Sequence, residues 1–268
     1  MRPALALLVI FAGAASAEEP YRKPPKAILD VLNAPVTPAV SVSPTRDYAL
    51  LVEPTRYRSI AELAQPMLRL AGLRINPATN GPHGGPPSVV SLPRKKIADG
   101  SETRIALPAN PRFGFPEWSP DGKHFAITNT TTGGIELWVG ETASANLRPL
   151  KVGRVNDLLG DPVRWMPDNR TLAVHLVPAG RGKAPETAAA PKGPNVQEGS
   201  GRAGPVRTFQ DMMKTPTDEA LFDYYATSQL ALVDTADGKV TPVGRPAIFQ
   251  GASPSPDGKH LLVTRVGR

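Results

Sequence analysis

Cysteine is absent from all 268 residues of this sequence. Small exported domains that cannot build a sufficient hydrophobic core are usually held together by disulfides, and that class of protein is excluded. A zinc site with thiolate ligands is excluded for the same reason. The fold must therefore be stabilised by packing and hydrogen bonding, for which a chain of this length is ample.

Long apolar runs are also scarce, and the most prominent one lies at the N-terminus. Arg2 precedes an apolar run from Ala4 to Ala12, which is followed by Ala15-Ser16-Ala17. This order is typical of a cleavable secretory signal peptide, and the run is too short to span a bilayer, which takes about 20 residues. We expect cleavage after Ala17, a periplasmic or secreted mature protein, and no membrane attachment after signal cleavage.

Motifs for catalysis and metal binding are missing. A serine nucleophile in a Gly-x-Ser-x-Gly turn does not occur, and the nearest run, Gly251–Ser255, has Pro254 where a helix should begin. None of the four histidines has the spacing of a metal site; they are His83, His124, His175 and His260. We therefore predict no catalytic residue, no metal and no cofactor in this chain.

Basic residues are in excess, with a net charge of +7, but they are scattered along the chain. The densest cluster is Arg94-Lys95-Lys96, which we place in a turn-like loop without interleaved aromatic residues. Nucleic-acid-binding surfaces combine a basic stripe with a recognisable motif, and neither is present. We predict no nucleic-acid partner.

Turn-forming residues are abundant, with 31 prolines and 24 glycines, and one turn phrase occurs four times. Many short strands and few long helices are expected from such a composition. The four copies of the phrase, with the strand that follows each, are Ser43–Val52, Trp118–Ile127, Trp165–Val174 and Pro254–Val263.

The repeated phrase has the chemistry of a β-hairpin. Proline fixes the first central position of a tight turn, Asp follows, and Gly or Asn takes the position with positive φ. An apolar run then leaves the turn as a strand. We therefore interpret four aspartates as turn residues and not as paired catalytic acids; they are Asp47, Asp121, Asp168 and Asp257. His124 and His260 share one repeat position, which favours a structural role.

The spacing of the hairpins indicates what they build. Trp118 and Trp165 lie 47 residues apart, close to one four-stranded propeller blade of about 40 to 45 residues. The runs Ile135–Val139 and Leu147–Val152 supply the third and fourth strands of that blade. One complete blade is therefore predicted between the two tryptophans.

Two blades are interrupted by insertions near residues 54–87 and 178–227. In the first, apolar residues across Pro66 predict a helix over Arg58–Ala71, and a Gly/Pro-rich loop leads to strands at Ser88–Leu92 and Thr103–Leu107. In the second, Pro178–Gly204 is predicted to be a mobile loop. One or two short helices are predicted over Thr208–Thr227, with Thr217 as the cap, before strands at Gln229–Asp234 and Lys239–Val243.

These elements predict an all-β fold, a partial β-propeller of about three and a half four-stranded blades with short helical insertions. Residues 1–17 are the signal peptide, 18–40 a Pro-rich N-terminal segment, and 41–268 the incomplete propeller domain. Leu261–Val266 is the second strand of a fourth blade. Since a propeller closes its last blade on its first, we expect the chain to be the front of a longer protein.

Several runs resemble the prolyl oligopeptidase family of serine peptidases, in its glutamyl endopeptidase-like branch. They are Tyr21–Pro25, Leu32–Pro35, Leu70–Pro77, Trp118–Gly122, Pro205–Asp211, Asp218–Phe222 and Tyr225–Leu230. The resemblance covers nearly the whole mature chain. The Ser-Pro-Asp-Gly phrase is shared by many propellers, whereas the runs in the insertions are specific.

The resemblance implies a two-domain enzyme in which the propeller gates access of peptides to a C-terminal α/β-hydrolase domain with Ser, Asp and His. That domain has no counterpart here, so no catalytic residue is carried over. The branch cleaves after acidic residues, which requires a cation near the bound peptide, and Arg207 is our hypothesis for that substrate contact. The alternative function is a non-enzymatic periplasmic β-propeller that binds protein partners.

Overall fold

The computed structural model describes residues 22–186 and 209–267. The chain divides into two compact units, residues 1–35 and 36–268. In the described part of the first unit, helix α1 (Lys26–Leu32) begins after Pro25 and carries an exposed ion pair between Lys26 and Asp30 at 2.6 Å. Within the described residues, no helix combines the length and the apolar character that crossing a membrane requires.

The first blade has the strand order β1-β2-β7-β8, and all its pairings are antiparallel. A short strand, β6, pairs with the end of β2, and an insertion between them contains helix α2 and a separate three-stranded sheet, β3-β4-β5. In chain order the elements are β1 (Ala39–Val42), β2 (Tyr48–Pro54), α2 (Ile60–Leu63), β3 (Leu68–Leu70), β4 (Leu73–Asn76), β5 (Gly81–Pro82), β6 (Val89–Ser91), β7 (Pro93–Lys96) and β8 (Glu102–Arg104).

The second and third blades are four-stranded antiparallel meanders, and two strands of a fourth follow. The second consists of β9 (Glu117–Trp118), β10 (His124–Thr131), β11 (Gly134–Glu141) and β12 (Asn146–Val155). The third and fourth consist of β13 (Val163–Trp165), β14 (Thr171–Leu176), α3 (Pro216–Ala226), β15 (Thr227–Asp234), β16 (Val240–Pro242), β17 (Ala247–Pro254) and β18 (Leu261–Arg265). The predicted incomplete propeller, mostly β with few helices, is confirmed.

The turn phrase folds as its chemistry requires. Gly122, Asn169 and Gly258 all have φ between 61° and 69°, the left-handed region that Gly and Asn tolerate best. In the first copy Arg46 takes this position with φ of 61°, and Asp47 follows it. The interpretation of Asp47 as the turn-forming residue was therefore wrong, because the chain places Thr45 where the other copies have Asp.

Neighbouring blades are joined by tryptophan side chains. The indole nitrogen of Trp118 donates to the Ser41 hydroxyl of the preceding blade at 2.8 Å, and that of Trp165 donates to the Glu117 backbone oxygen at 2.9 Å. Because an indole has one donor, each tryptophan can be buried against the next blade without an unpaired polar group. Short strand pairings at Val155 with Leu176 and Thr227 with Ile248 complete the connections.

The hydrophobic core lies mainly between the blades. One cluster fills the space between the first two blades around Phe113 and Phe125, and another fills the space between the second and third around Leu137 and Val174. Both clusters use the apolar residues that alternate along the central strands. Phe125 is fully buried and lies directly over Gly140 of the paired strand.

Local predictions were wrong at three further places. The helix expected over Arg58–Ala71 ends at Leu63, and Leu68–Leu70 is a strand, because Pro66 cannot continue a helix and disfavours helical backbone before it. The cap of α3 is Thr215, with Asp218 completing a capping box, and not Thr217.

The third correction concerns the basic cluster Arg94-Lys95-Lys96, which lies in strand β7 and not in a turn-like loop. The guanidinium of Arg94 lies 5.0 Å from the Tyr48 ring centroid and donates to the backbone oxygens of Thr142 and Ala143, both at 2.7 Å. These contacts join the first blade to the second, so this charge is structural.

Candidate functional site

The two insertions emerge at the same end of their blades. In each blade the tight turn joins the first two strands at one end, so the connection after the second strand lies at the opposite end. Residues 55–88 follow β2 of the first blade, and residues 177–226 follow β14 of the third. The connections between blades, residues 105–116 and 156–162, also lie at this end, which we call the insertion end.

A shared hydrophobic cluster packs the insertions together. Leu70 and Ile75 come from the small sheet of the first insertion, while Leu221, Phe222 and Tyr225 come from α3 of the second. All five are buried. The described parts of the two insertions therefore form one layer at the insertion end, although well over a hundred residues separate them in sequence.

Hydrogen bonds to the end of α3 hold this layer in register. The backbone oxygen of Tyr225 accepts from the side-chain amides of Asn80 at 3.2 Å and Asn156 at 2.9 Å. Arg181 donates to the Asn80 side chain and to the Tyr224 backbone oxygen, and its guanidinium lies 4.2 Å from the Tyr224 ring centroid. The C-terminal end of α3 therefore connects three segments: the first insertion, the second insertion, and the connection between the second and third blades.

A cavity of about 220 Å³ lies beside this layer. Its walls come from the first insertion, the connections between blades, and several strands of the first two blades. The charged and titratable side chains that line it are Glu62, His83, Arg112 and Asp157. Phe115, which is 62% exposed, adds an apolar wall.

One carboxylate of the cavity is neutralised within the protein. Glu62 lies on α2, which is capped by the Ser59 hydroxyl, and it pairs with Arg112 at 2.9 Å and with Arg58 at 3.9 Å. The backbone nitrogen of Arg112 donates to the Asn129 side chain at 3.0 Å, which fixes the connection that carries it. This ion pair joins the first insertion to the connection between the first two blades.

The other carboxylate of the cavity, Asp157, has a different environment. Burial raises the pKa of its carboxyl to about 6, and the nearby charge of Asp161 adds to this effect. Within residues 22–186 and 209–267 its side chain has no ion pair and no hydrogen bond. A carboxylate that is half-buried without compensation is costly to ionise, and such groups concentrate at functional sites.

The residues singled out in the sequence are mostly structural. The ring of His124 lies 6.3 Å from that of Trp165, between the second and third blades. His175 is 2% exposed, and burial lowers its pKa. Asp121, Asp168 and Asp257 each accept hydrogen bonds within their own turns; these come from Ser119 and Lys123, from Arg170 and Thr171, and from Ser255 and Lys259.

Only His83 of the four histidines lines the cavity, and its Nε2 lies 3.1 Å from the Gln65 backbone oxygen. In the part of the chain that the structure describes, no group of three or more His, Asp or Glu side chains is placed to hold a metal ion. Arg207, the proposed substrate contact, lies outside the described residues.

Sequence reasoning missed Asp157, Asn156 and Arg181. A signal was available for the first two, since a polar Asn-Asp pair follows the predicted strand Leu147–Val152, at the blade connection on the insertion end. Nothing comparable marks Arg181, whose partners Asn80 and Tyr224 are distant in sequence.

The strand order and the repeated turns define this chain as an incomplete β-propeller with an insertion-covered end. It is 35% identical over 262 residues to the probable chloroplastic glutamyl endopeptidase of Oryza sativa subsp. japonica, covering 92% of this chain and 28% of that protein. The corresponding Arabidopsis thaliana protein is also 35% identical, over 268 residues, covering 92% of this chain and 27% of that protein. No protein-family model matches the chain.

These comparisons confirm the resemblance to glutamyl endopeptidases. The chain spans little more than a quarter of the length of these relatives. A solved structure, the β-propeller domain of the trilobed protease of Pyrococcus furiosus, is 11% identical, with a TM-score of 0.39 over 81% of this chain and 46% of that one. The fold assignment rests on the strand pairing described above.

Proposed function

We propose that this chain is the propeller portion of an exported serine peptidase that cleaves peptides after acidic residues in the intact enzyme. The observation that carries the proposal is the similarity over 92% of the chain to two proteins named as glutamyl endopeptidases. Serine-peptidase chemistry requires a nucleophile, a base and an orienting acid, and these would come from a hydrolase domain outside this chain.

The role of the propeller in that enzyme is to gate access of peptides to the catalytic domain. Two features of the insertion end support this role. The described parts of both insertions cover it as one packed layer, and the cavity with its uncompensated carboxylate lies beside them. Loops carried by a rigid scaffold commonly contact substrates.

The preference for acidic residues can be tested with peptides that differ at one position. The natural gene product would be given fluorogenic peptides with Glu, Gln, Asp or Lys before the scissile bond. We expect cleavage of the Glu peptide to exceed that of the Gln peptide by at least about tenfold, because a charge-assisted contact stabilises by about 1.5–3 kcal/mol. Equal cleavage of Glu and Gln peptides would contradict the acidic preference, and absence of cleavage would favour the non-enzymatic binding protein.

Arg207 is our proposal for the cation that contacts the acidic residue. Its neighbourhood, Pro205–Asp211, is among the runs that resemble the glutamyl endopeptidase branch. In the intact enzyme, Arg207→Ala should abolish most of the preference for Glu over Gln, whereas Arg202→Ala, in the same segment, should leave it unchanged. An unchanged Glu-to-Gln ratio in Arg207→Ala would remove Arg207 from this role.

Export is a further proposal, supported by the order of Arg2, the apolar run and Ala15-Ser16-Ala17. N-terminal sequencing of the protein from its native host should give a mature start at Glu18, with the protein outside the cytoplasm. Ala17→Arg should block cleavage and leave the precursor uncut. A mature protein that begins at Met1 and stays in the cytoplasm would refute export.

A further inference from the structure

The cavity at the insertion end is lined by two carboxylates, of which one is paired with cations and the other is not. Glu62 is compensated by Arg112 at 2.9 Å and by Arg58 at 3.9 Å. Asp157 has no cation or hydrogen-bond donor as a partner among the described residues, and the charge that adds to the shift of its pKa is that of another carboxylate, Asp161. Arg112, which also lines the cavity, is paired with Glu62, so Asp157 has no counter-charge of its own among the described residues.

The chain holds Asp157 in this position from both sides. The side-chain amide of Asn156 donates to the backbone oxygens of Tyr225 and Thr227, and its backbone nitrogen donates to the His175 backbone oxygen at 2.8 Å. On the other side Leu158 and Leu159 pack in the cluster that joins the insertions. With both neighbours fixed, the loop is restrained from carrying Asp157 out into solvent.

We propose that this cavity binds a ligand bearing a primary ammonium group, with the Asp157 carboxylate as its counter-ion. An ammonium group has three donors and no acceptor, so it suits a carboxylate flanked by neutral acceptors. The hydroxyls of Thr128 and Thr130 on the cavity wall can serve as those acceptors. The apolar side of Phe115 offers a surface for the carbon atoms of the ligand.

The size of the cavity restricts the ligand. A space of about 220 Å³ holds several waters or one end of a peptide. Two sources of a primary ammonium fit this volume, the free amino terminus of a peptide and the side chain of a lysine. The site does not depend on the proposed peptidase activity, since it is built entirely from this chain.

Binding is measured by calorimetry on the natural gene product, without any cleavage step. Three probes distinguish the sources: triglycine amide carries an α-ammonium, N-acetyl-lysine amide carries a side-chain ammonium, and N-acetyl-triglycine amide carries none. We expect saturable binding of at least one ammonium probe and none of the acetylated triglycine. Whichever ammonium probe binds identifies the source.

The matched variants are Asp157→Asn and Asp161→Asn, which remove one negative charge from the same connection. Asp157→Asn should lower the affinity for the probe by at least about tenfold, because a hydrogen bond to a charged group contributes about 1.5–3 kcal/mol. Asp161→Asn should keep full affinity, since the Asp161 side chain is 69% exposed and pairs with Arg164.

Two results would overturn the proposal. One is the failure of both ammonium probes to bind the folded native protein at millimolar concentration. The other is binding that Asp157→Asn and Asp161→Asn affect equally. Because the acetylated and free triglycine probes are compared on the native protein, the conclusion does not depend on the folding of a variant.

Discussion

The side-chain amide of Asn156 donates to the backbone oxygen of Tyr225 across 2.9 Å, joining the connection between two blades to the end of α3. The same oxygen accepts from Asn80 of the first insertion. One backbone oxygen therefore receives donors from two distant segments. These contacts hold the described parts of the two insertions together at the insertion end. The cavity and the proposed ligand site lie at the same end.

Replacing Asn156 should loosen this end. Asn156→Ala removes two hydrogen bonds from a buried residue, so we expect a loss of about 1–3 kcal/mol in the free energy of unfolding. Hydrogen exchange of the α3 amides should accelerate more than that of β10. Asn146→Ala, at an exposed position, is the control. If the amides of both variants exchange at the rates of the native protein, Asn156 does not stabilise the position of α3.

Arg181 should contribute through its shape as well as its charge. Its guanidinium stacks on Tyr224 and donates to the Asn80 side chain and the Tyr224 backbone oxygen, which an ammonium cannot do in the same geometry. We expect Arg181→Lys to increase hydrogen exchange in α3 and around Asn80, and Arg104→Lys, at an exposed position, to change nothing. Native-like hydrogen exchange in Arg181→Lys would mean that the positive charge alone, without the guanidinium geometry, holds α3 and Asn80 in place.

The packing between the first two blades should not tolerate a methyl group at Gly140. A Cβ there would overlap the ring of Phe125, which is fully buried and cannot move away. Gly140→Ala should lower the free energy of unfolding by about 1–3 kcal/mol. Gly251→Ala is the matched control, since a Cβ at that strand position meets nothing within 4 Å. Equal melting temperatures for the two variants would contradict the strand register.

Asp157 should make stability depend on pH. Its raised pKa means that the folded state holds the proton more tightly than the unfolded state. The stabilisation is fully present below pH 3.8 and is lost as the pH rises through about 6. The difference of about two pKa units corresponds to about 3 kcal/mol in the free energy of unfolding between low and high pH.

Asp157→Asn removes this dependence, so it should melt at a higher temperature than the native protein at pH 7.5 and at nearly the same temperature at pH 3.5. Asp161→Asn should show a much smaller gain at pH 7.5, because Asp161 contributes the lesser part of the shift. A native protein and an Asp157→Asn variant that melt together at both pH values would show that Asp157 is not destabilised by burial.

The blades could be predicted because their signals are local. Trp118 and Trp165 each end a first strand, and the turn phrase after them sets both the bend and the start of the next strand. Such chemistry acts within about ten residues and repeats with the blade. The helix expected across Pro66 failed for a related reason, since helical spacing of apolar residues cannot outweigh the missing backbone donor.

The site could be predicted only in part, because its contacts are long-range. Asn80 and Tyr225 are separated by 145 residues, and no local sequence pattern in either segment predicts their contact. Asp157 lies at the blade connection, beside residues of the first insertion that are far from it in sequence. Arg207 remains a hypothesis from the resemblance to glutamyl endopeptidases.

The central claim, that this chain is part of a serine peptidase, is tested most directly by labelling. The native polypeptide would be isolated from its host with an antibody raised against residues 22–186 and treated with a fluorophosphonate that reacts with activated serines. The account predicts one labelled polypeptide that yields both peptides of this chain and a modified serine in a Gly-x-Ser-x-Gly turn. A native polypeptide that carries these residues and takes no label, while a control hydrolase in the same extract is labelled, would contradict it.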